Sequence, residues 1–213
     1  MSLAKYIDHT LLKPTATETE IRMLCEEALA YGFKAVCVNG CWVAFAFELL
    51  KDSEVRVATV VGFPLGAMST DAKVTEAEDA VNNGADEVDM VLNLGWLKSE
   101  QYDRVQEDMD RVKKAVGNSI LKVILETCYL NDDEIEKACE LAVAARADFV
   151  KTSTGFGTGG ATFEDVLLMR TVVGDKALIK ASGGVRDRET ALRYISIGVS
   201  RIGTSSGVKL LTE

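Results

Sequence analysis

Phe149-Val150-Lys151-Thr152-Ser153-Thr154-Gly155-Phe156 is an apolar, β-prone run that carries a lysine and then breaks into hydroxyls and glycine. The neighbours of Lys151 in the alternation belong to a buried strand, so its ammonium is either a structural ion pair or a tuned amine. A second copy of the pattern follows at Ala177-Leu178-Ile179-Lys180-Ala181-Ser182-Gly183-Gly184. Two lysines thus stand at equivalent places on successive strands. If those strands are parallel neighbours in one barrel, both side chains enter the same space. At about 6 Å and an effective dielectric near 20, their repulsion is roughly 2.8 kcal/mol, about two pKa units. An unperturbed lysine, with pKa about 10.4, is a free amine in only about one molecule in 2,500 at pH 7. A neighbouring cation plus partial desolvation closes most of that gap and yields a nucleophilic amine.

Outward from this pair, short apolar strands recur about every 22 to 34 residues, separated by polar-faced helical segments. That is the βα alternation of a parallel sheet. The eight expected strands cover 5–8, 34–38, 56–61, 87–92, 121–126, 148–153, 177–181 and 201–203. Thr17-Glu18-Thr19-Glu20 is a capping box followed by the apolar face Ile21, Leu24, Cys25 and Ala28, and Asn131 to Glu134 repeats the cap before Ile135, Ala138, Cys139 and Ala142. Thr162 opens a helix carrying Val166, Leu167 and Arg170, and Asp187 opens one with Ala191, Tyr194 and Ile195 facing inward. Longer helices are expected over 74–83 and 102–116, while 42–50 is apolar nearly all round and is expected to be buried or at a subunit contact. Gly32, Gly84 and Gly198 fit left-handed helix ends. Eight strands and their helices in 213 residues make one (β/α)8 TIM-barrel domain the expected architecture. Its competitor is an open doubly wound sheet, since a strand count does not prove closure.

Composition narrows the function classes. A hydrophobic content of 47% in 213 residues suits one globular domain. The formal charge of −9, with no basic block, argues against a nucleic-acid partner. Neither an apolar leader nor a membrane-length run is present, and five cysteines (Cys25, Cys37, Cys41, Cys128, Cys139) without a Cys-x-x-Cys pair suit reduced thiols, so a cytoplasmic protein is expected. The single histidine, His9, weighs against a zinc site, and no metal or cofactor is expected.

In a barrel of this kind the active site lies at the carboxyl ends of the strands. Asp8 and Thr10 follow the first strand there, Cys37 and Asn39 the second, Asp89 and Asn93 the fourth, Glu126 and Thr127 the fifth, and Ser205 and Ser206 the eighth. Asp8, Thr10 and Cys37 are expected to line the pocket. Asp89, inside Glu87-Val88-Asp89-Met90-Val91, is either a buried counter-ion of Lys151 or Lys180 or a proton-transfer group, and the two roles are compatible. Lys122, at the start of strand five, either belongs to the polar cluster or forms a structural ion pair, and the ion pair is the expected reading. The loops Ser182-Gly183-Gly184-Val185-Arg186 and Gly203-Thr204-Ser205-Ser206-Gly207 expose backbone amides after the last two strands, where many barrels bind phosphate. Gly155 to Gly160 lacks the Gly-Lys-Ser/Thr end of a P-loop and reads as a flexible connection.

These residues carry a family likeness. Ile7-Asp8-His9-Thr10-Leu11-Leu12-Lys13-Pro14, Glu87-Val88-Asp89-Met90-Val91, Lys151-Thr152-Ser153-Thr154-Gly155-Phe156, Lys180-Ala181-Ser182-Gly183-Gly184-Val185-Arg186 and Arg201-Ile202-Gly203-Thr204-Ser205-Ser206 resemble the motifs of deoxyribose-phosphate aldolases, over nearly the whole chain. The resemblance implies reversible cleavage of 2-deoxyribose 5-phosphate to glyceraldehyde 3-phosphate and acetaldehyde, in deoxynucleoside catabolism. It implies Lys151 as Schiff-base lysine, Asp89 and Lys180 as the proton-transfer pair, and Gly155, Gly183, Gly184, Gly203, Ser205 and Ser206 as phosphate contacts. The partners implied are a phosphorylated sugar and an aldehyde. Association into a homo-oligomer, such as a dimer, is expected by analogy with other barrels. Two positions depart from the family. Phe156 stands where some members have a lysine, and Leu211-Thr212-Glu213 stands where longer members continue to a tyrosine-ended tail that resembles a proton-transfer aid. Two rivals differ in class: a Schiff-base or transaldolase-like barrel with another donor, and a sugar-phosphate-binding barrel without turnover. The second is expected to have lost Lys151, Asp89 or Lys180, and all three are present.

Overall fold

A computed structural model describes residues 2–212. Its strands are β1 (Ile7–Leu11), β2 (Ala35–Val38), β3 (Arg56–Val61), β4 (Glu87–Val91), β5 (Ile120–Ile124), β6 (Phe149–Lys151), β7 (Leu178–Ser182) and β8 (Arg201–Thr204). Each pairs in parallel with the next, and β8 returns to β1, so the sheet is a closed barrel rather than an open doubly wound sheet. The helices are α1 (Glu18–Tyr31), α2 (Val43–Leu50), α3 (Thr70–Asn82), α4 (Leu94–Lys98), α5 (Tyr102–Val116), α6 (Asp132–Ala144), α7 (Phe163–Val173), α8 (Arg188–Ser196) and α9 (Gly207–Thr212).

Local chemistry sets most boundaries. Thr17 and Asn131 close full capping boxes with Glu20 and Glu134, and Thr162 and Asp187 accept from the third residue of their helices. Gly32 ends α1 in the left-handed conformation at φ 65°, where a side chain would be strained. The first strand lies later than the sequence implies. Leu3–Tyr6 winds into a 3-10 turn that buries Leu3 and Ala4, and the strand begins at Ile7. The helix α2 is not buried all round: Val43, Ala46 and Leu50 face the core, whereas Phe47 is exposed. On α7 the buried face is Val166, Met169 and Val173, with Leu167 turned to solvent.

Two cores result. The larger fills the space between barrel and helices, with Ile7, Val36, Val57, Val88, Leu121, Val150, Ile179 and Ile202 pointing outward from the strands. The smaller, Leu12, Ala35, Cys37, Ala58 and Val60 with Phe63 against it, packs the inside of the barrel at β2 and β3. The rest of the interior is ionic, and that asymmetry positions the site. Among the described residues no helix is long and apolar enough to cross a membrane.

Candidate active site

Four buried cations and three buried carboxylates share the inside of the barrel: Lys122, Lys151, Lys180 and Arg201 against Asp8, Glu87 and Asp89. Strand register brings them together. Lys151 lies opposite Lys180, Lys180 opposite Arg201, and Asp89 opposite Lys122. In-register neighbours of a parallel sheet point to one side, so alternation within each strand puts every one of these chains inward.

The bonds form a chain of pairs. Arg201 donates from Nε to Asp8 Oδ1 at 2.6 Å and from its two terminal nitrogens to Glu87 at 3.1 and 2.7 Å. Lys122 lies 2.7 Å from Glu87 Oε2 and donates to Asp89 Oδ1 at 2.6 Å. Lys180 donates to Asp8 Oδ2 at 2.5 Å and to Asp89 Oδ2 at 2.8 Å. Lys151 donates to that same Asp89 oxygen at 2.8 Å and makes no other ion pair among the described residues. The Lys122 ion pair is therefore present and lies within the polar cluster, so the two readings of that lysine coincide.

These surroundings drive the two lysines apart. Burial lowers the pKa of Lys151, Asp89 opposes that, and the charge on Lys180 lowers it further. Desolvation is thus the larger cause, with like-charge repulsion its supplement. For Lys180 burial is outweighed by Asp8 and Asp89, and its pKa is raised. Burial pushes Asp89 up, but Lys122, Lys151 and Lys180 together hold it well below the usual carboxylate range. Asp8, also opposed by burial, is brought down to about 2 by Arg201 and Lys180. Four cations facing three anions leave one surplus positive charge. Releasing the proton of Lys151 removes it.

Above this network opens a cavity of about 350 Å³ bordered by Lys151, Thr10, Gly155, Phe156, Ser182, Gly183, Gly184, Gly203 and Ser205, among others. Of the buried amines only Lys151 reaches it. Asp89, Lys180, Asp8 and Cys37 lie beneath its floor, fully buried. Asp8 and Cys37 therefore do not line the pocket as expected: Asp8 supports Lys180 from below, and burial pushes the Cys37 thiol pKa up. Ser206 also lies off the wall, with its amide turned to Thr204 Oγ1 at 3.0 Å.

Glycines make the crowding tolerable. A Cβ on Gly203 would stand 3.0 Å from Lys180 Cε and 2.9 Å from Ser182 Cβ, so its absence gives Lys180 room to cross the barrel. Gly160 and Gly183 let the β6 and β7 loops touch backbone to backbone, since a Cβ on Gly160 would lie 2.3 Å from Gly183 O. Ala161 N closes the same seam on Ser182 O and Gly183 O at 3.1 Å each.

Sequence reasoning missed Glu87 and Arg201 as members of the cluster, because charges at strand ends ordinarily read as solvated. A signal was available: Glu87 and Asp89 are two apart on one strand, and hence on one face. The sequence puts Glu126 near the site without giving it a task. Its carboxylate, buried and on a backbone with φ 55°, accepts from Thr154 N at 3.0 Å and from Thr154 Oγ1, and Phe156 N returns to Thr154 Oγ1 at 3.0 Å.

A closed βα barrel with lysine and carboxylate chemistry at the mouth of its strands is an enzyme scaffold, and here the class is a carbon–carbon lyase of the aldolase kind. The chain belongs to the DeoC/LacD family of aldolases, whose family model matches residues 2–211. It is 58% identical to the deoxyribose-phosphate aldolase of Caldanaerobacter subterraneus subsp. tengcongensis, over all of this chain and 94% of that one. It is 56% identical to the deoxyribose-phosphate aldolase of Finegoldia magna, over 99% of each. Among solved structures, the tetrameric deoxyribose phosphate aldolase of Aeropyrum pernix superposes with a TM-score of 0.91 at 34% identity, over 98% of this chain and 89% of that one.

Proposed function

We propose that the protein cleaves 2-deoxy-D-ribose 5-phosphate reversibly to D-glyceraldehyde 3-phosphate and acetaldehyde through a Schiff base on Lys151, in the breakdown of deoxyribonucleosides. The observation that carries this reading is that Lys151 alone combines access to the cavity with a depressed pKa. The names of relatives more than half identical supply the substrate.

In the cleavage direction neutral Lys151 Nζ attacks the C1 carbonyl. The carbinolamine loses water to give an iminium ion. The C3 hydroxyl then gives up its proton as the C2–C3 bond breaks, and its electron pair enters the iminium as an enamine. Glyceraldehyde 3-phosphate leaves, C2 is protonated, and water releases acetaldehyde. Asp89 enters this cycle as a carboxylate and Lys180 as an ammonium, so a water beside them has one group to take a proton and another to give one. Gly155, Gly183, Gly184, Gly203 and Ser205 hold the phosphate, with the exposed guanidinium of Arg186 at the rim. Fixing the phosphate fixes the distance from the reacting carbon to Lys151, so binding energy far from the chemistry positions it. We place the protein in the cytoplasm as a homo-oligomer, on its five free thiols and the tetrameric relative.

Incubation with acetaldehyde and borohydride, followed by peptide mapping, tests the nucleophile: the adduct is expected on Lys151. An adduct on any other residue, or a parent protein that fails to cleave deoxyribose 5-phosphate in the presence of a chelator, overturns the reading.

A further inference from the structure

Two cations stand at the cavity rim besides the buried amine: Lys13, past the end of β1, and Arg186, past the end of β7. A phosphate monoester carries close to two negative charges at neutral pH. Lys151 is engaged by the carbonyl and Phe156 brings no charge to its wall, so these two side chains are what the cavity offers as counter-charge. Arg186 makes no hydrogen bond or ion pair among the described residues. Lys13 is occupied, and how it is occupied matters.

Its backbone is fixed and close to the right place. β1 pairs with β8 in the register Asp8 to Gly203 and His9 to Thr204, so residues 11–13 leave the barrel beside the Thr204 and Ser205 loop. Lys13 precedes Pro14, which restricts it to extended backbone, and its carbonyl accepts from Ala16 N at 3.1 Å. Its side chain is parked on Glu20, with Nζ 2.9 Å from Oε1 and the two side chains 58% and 37% exposed. An exposed pair of that kind is weak and easily exchanged. Glu20 also does not need it. The other carboxylate oxygen accepts from Thr17 N at 2.8 Å and Thr17 Oγ1 at 3.0 Å, as the reciprocal half of the α1 capping box. Losing Lys13 leaves that carboxylate hydrogen-bonded and at a helix N-terminus, where negative charge is favoured.

We propose that Lys13 is a specificity-determining residue that leaves Glu20 on substrate binding and grips the phosphate from the β1 side, opposite Arg186. The inference rests on the proposed function for the identity of the phosphorylated substrate. It adds a residue outside the glycine loops and makes Glu20 a competitor for its amine.

The test is steady-state cleavage of 2-deoxyribose 5-phosphate and of unphosphorylated 2-deoxyribose by the parent, Lys13→Met and Glu20→Gln, with calorimetric titration by inorganic phosphate alongside. In Lys13→Met the KM for the phosphorylated sugar is expected to rise about tenfold, the size of one lost charge-assisted hydrogen bond, with the loss falling on KM rather than kcat. The preference for phosphorylated over unphosphorylated sugar should fall by the same factor, and phosphate affinity should drop in parallel. Glu20→Gln keeps the capping box, since glutamine serves at that position, but frees the amine, so KM and the phosphate dissociation constant should both fall, about two- to threefold. An unmoved KM and phosphate affinity in Lys13→Met overturns the proposal. So does a Glu20→Gln variant that weakens phosphate binding. A parent without turnover overturns the proposed function instead, and the phosphate titrations still decide whether Lys13 grips the anion.

Discussion

Lys151 and Lys180 lie in register on neighbouring strands and donate to the same oxygen of Asp89, each at 2.8 Å, yet only Lys151 opens into the cavity. The difference lies in the second partner. Lys180 has Asp8 as well, and Lys151 has no other carboxylate among the described residues. A buried amine with one shared counter-ion gives up its proton more readily than one held by two.

Substituting the two lysines should therefore have unequal structural consequences. Lys151→Met leaves three cations against three carboxylates, so stability should stay within about 1 kcal/mol of the parent while borohydride trapping disappears. Lys180→Met leaves the same count, with Lys151 as the third cation, but removes the amine that bridges Asp8 and Asp89, and should cost about 3 kcal/mol, the cost of breaking a buried pair. Urea denaturation of both variants at neutral pH measures the difference. Equal losses would mean that the second partner, Asp8, does not distinguish the two lysines.

The pH dependence of trapping carries a sign. Lys151 reacts as the free amine, and its pKa lies below the ordinary value of 10.5, so the trapping rate should rise with pH and level off below that value. Asp89 holds the proton on Lys151, so Asp89→Asn should move the midpoint down even as turnover falls. Lys180 repels that proton, so Lys180→Met should move the midpoint up. Shifts of the same sign in the two variants would rule out electrostatic control of the amine.

How much of this the sequence discloses depends on where each charge sits. Lys151, Lys180 and Asp89 interrupt apolar strands midway, where a charge is conspicuous, and the structure brings all three together. Glu87 and Arg201 open their strands, where a charge looks like a solvated end, although barrel closure makes that layer as buried as the one above. The eight strands are legible because outward-facing residues such as Val36, Val88 and Ile179 must be apolar against the helices. The first is misplaced because its inward residues, Asp8 and Thr10, are polar for the sake of the site, while the preceding Leu3 and Ala4 are buried outside any strand. The strand patterns alone do not divide the tasks between the lysines, and only the family resemblance assigns them, since the physical basis rests on contacts between residues as far apart as Asp8 and Lys180.

Acid stability should report on Asp8. Its pKa falls from the ordinary 3.8 to about 2 in the folded protein, so the folded state binds fewer protons than the unfolded chain in that window. The resulting stabilisation is fully present above pH 4 and is lost as pH falls toward 2; it amounts to about 2 kcal/mol, at about 1.4 kcal/mol per pKa unit. Urea midpoints measured from pH 5 down to pH 2.5 should fall, and Asp8→Asn should flatten that slope. A slope as steep in Asp8→Asn as in the parent would assign the acid sensitivity to other carboxylates.

Glu126 offers a test of how the β6 loop is held. Its carboxylate takes both the amide and the hydroxyl of Thr154, and Thr154 in turn receives Phe156 N, so one buried acid orders the backbone on either side of Gly155. In Glu126→Gln the side-chain carbonyl still accepts from one Thr154 donor, whereas Glu126→Ala leaves a buried amide without an acceptor, at a cost of about 1–3 kcal/mol. If the loop presents Gly155 to the phosphate, Glu126→Ala should raise KM for the phosphorylated sugar about tenfold and leave the borohydride adduct on Lys151, with Glu126→Gln in between. A loss confined to kcat would instead place Glu126 in the proton transfers around Lys151, because a group that only orders the phosphate loop acts on binding before it acts on chemistry.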